Sequence, residues 1–169
     1  MESQVPQLHA EQREPPDLLL PRAAWACIVD HARLSMPKEC CGALLGFAEP
    51  GGTRVSSVIP GRNIAPGDRT RSFQLDWDTL LQLTCEHAGT RDDENRTDGK
   101  RPDGARLVGF YHSHPDAPPV PSRSDRQGTW NGFACVIVGF PFDQPESIRA
   151  WQVCRPDQPF VSRRIVILG

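Results

Sequence analysis

The stretch that decides how this chain folds runs Tyr111-His-Ser-His-Pro-Asp-Ala-Pro-Pro-Val-Pro-Ser-Arg-Ser-Asp125. It continues an apolar run, Leu107 to Tyr111, that reads as a strand. Strand side chains alternate in direction, so His112 and His114 point to one side and Ser113 to the other. Pro115 ends the strand, and the stiff proline-rich loop after it returns the chain to Asp125, thirteen residues beyond His112. Two imidazoles and a carboxylate leave one tetrahedral position open for water, which is the ligand set of a catalytic rather than a structural zinc site. Ser122-Arg-Ser-Asp125 also fits a helix capping box, and capping and metal ligation are compatible.

Working outward, Phe133 to Phe140 reads as a fully buried strand, with further strands at Ile148 to Val153 and Arg163 to Leu168. Upstream, Asp17 to Leu20 is a short strand and Pro21 suits the first turn of a helix. In that helix Trp25, Ile28, Val29 and Ala32 form one apolar stripe, and it should end near Ser35, ahead of Pro37. Cys40 to Ala48 and Arg54 to Ile59 flank the turn cluster Glu49-Pro50-Gly51-Gly52 and predict a hairpin that begins just after Glu39. Residues 60 to 71 read as loop, followed by a short strand around Phe73 to Leu75. A second helix is capped by Asp76, with Trp77, Leu80, Leu81 and Cys85 on one face. The sum is a mixed α/β domain, one sheet with helices packed on it, over residues 17–169. Residues 1–16 are polar and aperiodic and read as a flexible tail; the polar stretch 89–105 reads as a poorly ordered loop.

Composition narrows the function. At 169 residues the chain is long enough for one self-sufficient core. With 19 basic and 21 acidic residues it has no general attraction for nucleic acid or anionic lipid, so neither is expected as a partner. Its longest apolar run falls well short of the roughly 18 residues of a membrane span. The first residues lack an apolar signal core, and a cytoplasmic location is expected. Cys27, Cys40, Cys41, Cys85, Cys135 and Cys154 form no C-x-x-C pair and read as reduced, mostly buried thiols.

These residues resemble the JAMM, or MPN+, zinc metallopeptidases, whose pattern is a distant Glu, then H-x-H-P, six residues, and S-x-x-D. Every element is present: Glu39 within Pro-Lys-Glu-Cys-Cys-Gly, then His112, His114, Ser122 and Asp125. The likeness extends from about Leu18 to the C-terminus and is strongest with the small stand-alone prokaryotic branch. The tail and the 89–105 loop lie outside it. The resemblance implies a largely antiparallel mixed sheet flanked by helices, of cytidine-deaminase-like architecture, and one zinc ion per chain. The implied ligands are His112, His114 and Asp125. Glu39 is implied as the carboxylate that takes a proton from the zinc-activated water and passes it to the leaving amine. Ser122 is the candidate hydroxyl for the oxyanion, with capping or ligand orientation as its competing role.

The resemblance further implies hydrolysis of the peptide or isopeptide bond after the Gly-Gly tail of a ubiquitin-like protein. For the small prokaryotic members the substrate is a ubiquitin-like sulfur-carrier protein or its conjugate. The alternatives are a deconjugating isopeptidase of a bacterial ubiquitination-like system and, from another class, a non-catalytic MPN scaffold; scaffolds usually lack ligands that this chain retains. The P-C-x-x-C pair of zinc deaminases is absent. Asp116 and Trp130 are placed at the rim of the cleft. Cys40 is disfavoured as a nucleophile because it opens an apolar strand, and His9, His31 and His87 are read as surface or helix-face residues. Oligomeric state is left open.

Overall fold

The hairpin and the histidine-bearing strand form the centre of the sheet, and everything else is arranged by what covers its two faces. The computed structural model describes residues 17–78, 81, 104–128, 132–142, 144–153 and 158–169. The expected tail at 1–16, residues 89–103 of the polar loop, Trp130, Cys85, Cys154, His9 and His87 lie outside them. In chain order the elements are β1 (Asp17–Pro21), α1 (Arg22–Ser35), β2 (Cys41–Glu49), β3 (Gly52–Gly61), β4 (Arg106–His114), a one-turn α2 (Asp125–Gly128), β5 (Ala134–Gly139), β6 (Ile148–Gln152), β7 (Val161–Arg163) and β8 (Ile165–Leu168). They make one eight-stranded sheet in the order β7-β6-β5-β4-β2-β3-β1-β8. Four of its seven pairings are antiparallel. The expected α/β class with a largely antiparallel sheet is what the chain adopts.

One expectation fails in an informative way. Arg163 to Leu168 is not a single strand: β7 lies at one edge of the sheet and β8 at the other, with only Arg164 between them. Consecutive Cα atoms are 3.8 Å apart, so Arg163 and Ile165 are separated by at most about 7.6 Å. The sheet therefore curls until its edges meet. Buried Arg163 fastens the seam, donating to the Asp17 carbonyl and to Thr53 Oγ1, each at 3.2 Å.

Helix α1 fills the inside of the curl. Ile28, Val29 and Ala32 are buried as the stripe predicts, joined by Ala24, while Trp25 is partly exposed. They pack on Leu18, Leu20, Leu44, Val55, Val136 and Val138, where full burial of one aliphatic side chain contributes about 1.5–3 kcal/mol. Pro21 ends β1 and stands just before the first helical residue, rather than in the first turn. The opposite face carries a smaller cluster of Cys41, Ala43, Leu45 and Ile59, roofed by Phe73 and Leu75. No strand forms at Phe73 to Leu75 beyond a single bridge between Asn63 and Leu75, because Gln74 spends its N–H on the Asn63 side chain. Of the second helix, Trp77, Asp78 and Leu81 are helical and most of the rest lies outside the described residues. The Asp76 carboxylate accepts a hydrogen bond from the Arg62 guanidinium at 2.8 Å, and part of the turn it is expected to cap lies outside the described residues.

Candidate active site

Register brings the distant residues together. In the antiparallel β2–β4 pair Cys41 stands opposite His112, so two residues further out Glu39 falls beside His114, on the same face. A mutual clamp holds this end closed: the Cys40 N–H donates to Ser113 Oγ at 2.8 Å and the Ser113 N–H donates to the Cys40 carbonyl at 3.1 Å. Ser113, fully buried, does point away from the histidines, as alternation predicts, and there it anchors the neighbour of Glu39.

His112 Nε2 and His114 Nε2 lie 3.2 Å apart. Asp125 Oδ1 is 3.3 Å from the first and Oδ2 is 3.4 Å from the second. All three residues are buried. The carboxylate thus presents one oxygen to each imidazole, at spacings near the ligand-to-ligand edges of about 3.3–3.4 Å in a tetrahedral ion with bonds of about 2.0–2.1 Å, and the three side chains could hold a metal ion. The His114 Nδ1–H donates to the Pro118 carbonyl at 3.0 Å, which leaves the Nε2 lone pair facing His112 and Asp125. The ring of Phe73 stacks on His112 with centroids 4.5 Å apart.

Electrostatics follow from burial and from this geometry. Burial pushes His112 below its ordinary pKa against the pull of Asp125. Burial acts the same way on His114, but bonds to Asp125 and the Pro118 carbonyl and the charges of Asp125 and Glu39 outweigh it, and the net shift is upward. For Asp125 burial is overcome by its bonds with His112 and His114 and by the Ser122 N–H, which hold it far below the usual carboxylate range. Glu39, 6% exposed, is raised by burial to about 7; the positive field of His114 opposes this, and Asp125, Asp116 and Asp68 add to it. Cys40 and Cys41 are pushed up to about 12 by burial, which makes them inert as nucleophiles at neutral pH.

Ser122 and Asp125 form a reciprocal capping box at α2: the Ser122 N–H donates to Asp125 Oδ2 at 2.5 Å and the Asp125 N–H to Ser122 Oγ at 3.3 Å. The exposed Ser122 hydroxyl also shares a hydrogen bond with Ser124 Oγ at 2.9 Å and lines a cleft of about 330 Å³ with Glu39 and His114. Capping thus aims the Asp125 carboxylate at the two imidazoles while leaving the hydroxyl at the cleft. Asp116 lies on the rim, 3.7 Å from the Arg71 guanidinium on the facing segment. His31 stands apart, with its Nδ1 2.8 Å from the Tyr111 hydroxyl.

Two contributors escaped the sequence. The sequence pattern places Phe73 in a short strand, and nothing in the local sequence of Asn63 distinguishes it from any loop asparagine.

Comparison with known proteins adds three findings. The family described as prokaryotic homologues of the JAB domain matches residues 21–154. A relative named desampylase, from Haloferax volcanii, is 31% identical over 115 residues, covering 65% of this chain and 71% of that protein. Solution structures of proteins from Desulfitobacterium hafniense and Salinibacter ruber superpose with TM-scores of 0.71 and 0.59. Their identities are 20% and 29%, over 89% and 88% of this chain and 92% and 91% of theirs.

Proposed function

The chain belongs to the prokaryotic JAB-domain family, and from that premise we propose that it is a zinc-dependent peptidase hydrolysing the bond that follows the C-terminal tail of a ubiquitin-like protein. The observation that carries this reading is the convergence of buried His112, His114 and Asp125, with ligand atoms close enough to share one ion, beside the Glu39 carboxylate, which burial pushes up to about 7. Bound zinc supplies Lewis acidity and a water whose pKa falls toward about 7.

The remaining chemistry belongs to the chain. His114, whose Nδ1–H is held by the Pro118 carbonyl, presents its Nε2 lone pair, His112 offers its own Nε2 beside it, and Asp125, held ionised by its partners, supplies the anionic ligand. Glu39 accepts a proton from the attacking water and delivers it to the leaving nitrogen as the C–N bond breaks, and a group titrating near neutrality is suited to both transfers. The Ser122 hydroxyl, at the cleft, donates to the former carbonyl oxygen as negative charge develops there. An extended tail ending in glycines reaches such a cleft where a side chain would collide.

We take a sulfur-carrier protein or its amino-acid conjugate as the leading substrate. The desampylase relative favours a second reading, removal of a ubiquitin-like modifier from its protein conjugate. Purified zinc-loaded protein, offered both kinds of conjugate and followed by mass spectrometry, should release the carrier with its tail intact. Glu39→Gln should keep zinc and lose turnover. No cleavage of either kind, or undiminished cleavage by Glu39→Gln, overturns the assignment.

A further inference from the structure

We propose that Asn63 is the positioning residue that holds the Glu39 carboxylate against the His112–His114–Asp125 group, an inference that rests on the hydrolytic reading above. Asn63 follows β3, is half-buried, and uses all four hydrogen-bonding positions of its amide. Its Nδ2 donates to the Glu39 carbonyl and to the Ser72 carbonyl, each at 3.0 Å. Its Oδ1 accepts the N–H of Ala65 at 3.0 Å and of Gln74 at 3.2 Å. Two carbonyls on one side and two N–H groups on the other allow one orientation of the amide.

The same segment grips Glu39 from its other side. The Glu39 N–H donates to the Arg69 carbonyl at 2.8 Å, and Arg69 is itself tied through Nε to the Ala65 carbonyl at 2.8 Å. Residues 63–75 therefore hold Glu39 at both its N–H and its carbonyl, and one of them, Phe73, stacks on the ligand His112. Asn63 is where these ties converge. It couples the backbone that carries the base to the segment resting on the metal ligands. Displacing a catalytic group by about 1 Å costs on the order of a hundredfold in rate.

The amide's two halves can be tested separately. Asn63→Asp keeps an acceptor for Ala65 and Gln74 and removes the donors to Glu39 and Ser72; Asn63→Ala removes both. In the full zinc-loaded chain, Asn63→Asp should lower kcat about a hundredfold with KM and zinc affinity unchanged. Hydrogen exchange should quicken around Lys38 to Cys40 while the Ala65 and Gln74 amides stay protected. Asn63→Ala should lose that protection as well. Parental kcat in Asn63→Asp, or a loss of kcat matched by loss of zinc, overturns the inference. A parent protein that cleaves no conjugate overturns the proposed function instead, and exchange at Lys38 to Cys40 then decides whether Asn63 holds Glu39.

Discussion

Replacing Glu39 by Gln should stabilise the metal-free protein while destroying its activity. The carboxyl titrates at about 7 in the folded chain against an ordinary 4.5, because burial disfavours its ionised form. At about 1.4 kcal/mol per pH unit, a gap of about 2.5 amounts to about 3 kcal/mol. The sign follows from proton binding. Between pH 4.5 and 7 the folded chain holds a proton that the unfolded chain has released, so stability falls as pH rises through this window and stays low above it. Gln carries no charge and lacks the decline. Its advantage is about 3 kcal/mol at pH 8 and less than half of that at pH 5.5. For a domain of this size that corresponds to a rise in Tm of about 6–12 °C at pH 8. Chemical and thermal denaturation with a chelator present, at both pH values, measures it. With zinc bound the carboxylate faces an opposite charge and the advantage should shrink, while kcat falls about 10²- to 10⁴-fold. An equal gain at both pH values, or none at pH 8, would show that Glu39 is not the buried, poised base described above.

Two other outcomes are expected. Gly139→Ala would place a Cβ 2.6 Å from the Ala117 carbonyl oxygen and 2.6 Å from Pro119 N, pushing away the loop whose Pro118 carbonyl orients His114. Zinc affinity by calorimetry should drop about 10–100-fold with the fold retained, and unchanged affinity would exclude that route. The acid limb of kcat/KM should reflect ionisation of Glu39, rising with pH and centred below about 7 once a cation is bound. A limb that persists unchanged in Glu39→Gln assigns it to another group.

What could be read before any coordinates was what short spacing controls. His112 and His114 share a face by alternation alone, and Asp125 returns through a stiff loop too short to wander. Helix α1 and the hairpin follow from an apolar stripe and a turn cluster. Glu39 was accessible only by resemblance, since what places it is the pairing of Cys41 with His112, across 71 residues of chain. The division of Arg163 to Leu168 between two edges depends on closure of the whole sheet, which no local pattern records. Asn63 and Phe73 were invisible for the same reason: their importance lies in partners from β2, β4 and the segment between β3 and β4.

The face on which the histidines emerge is itself set by a feature that alternation cannot supply. Leu107 and Phe110 both pack on the outer cluster and Val108 and Tyr111 both on the inner one, so each face recurs after three residues rather than two. The cause is a bulge: Leu44 pairs with Gly109 and Leu45 with Leu107, leaving Val108 as the extra residue of β4. Strict alternation from Leu107 would have turned His112 and His114 inward, under α1, and Ser113 toward Glu39. With the extra residue in place, the imidazoles meet Asp125 and Glu39 on the open face while Tyr111 and Ser113 point inward, the first to His31 and the second to Cys40. One residue of slack in a central strand thus separates the face that carries His112, His114 and Asp125 from the core face, and the proposed chemistry depends on that insertion as directly as on those three side chains.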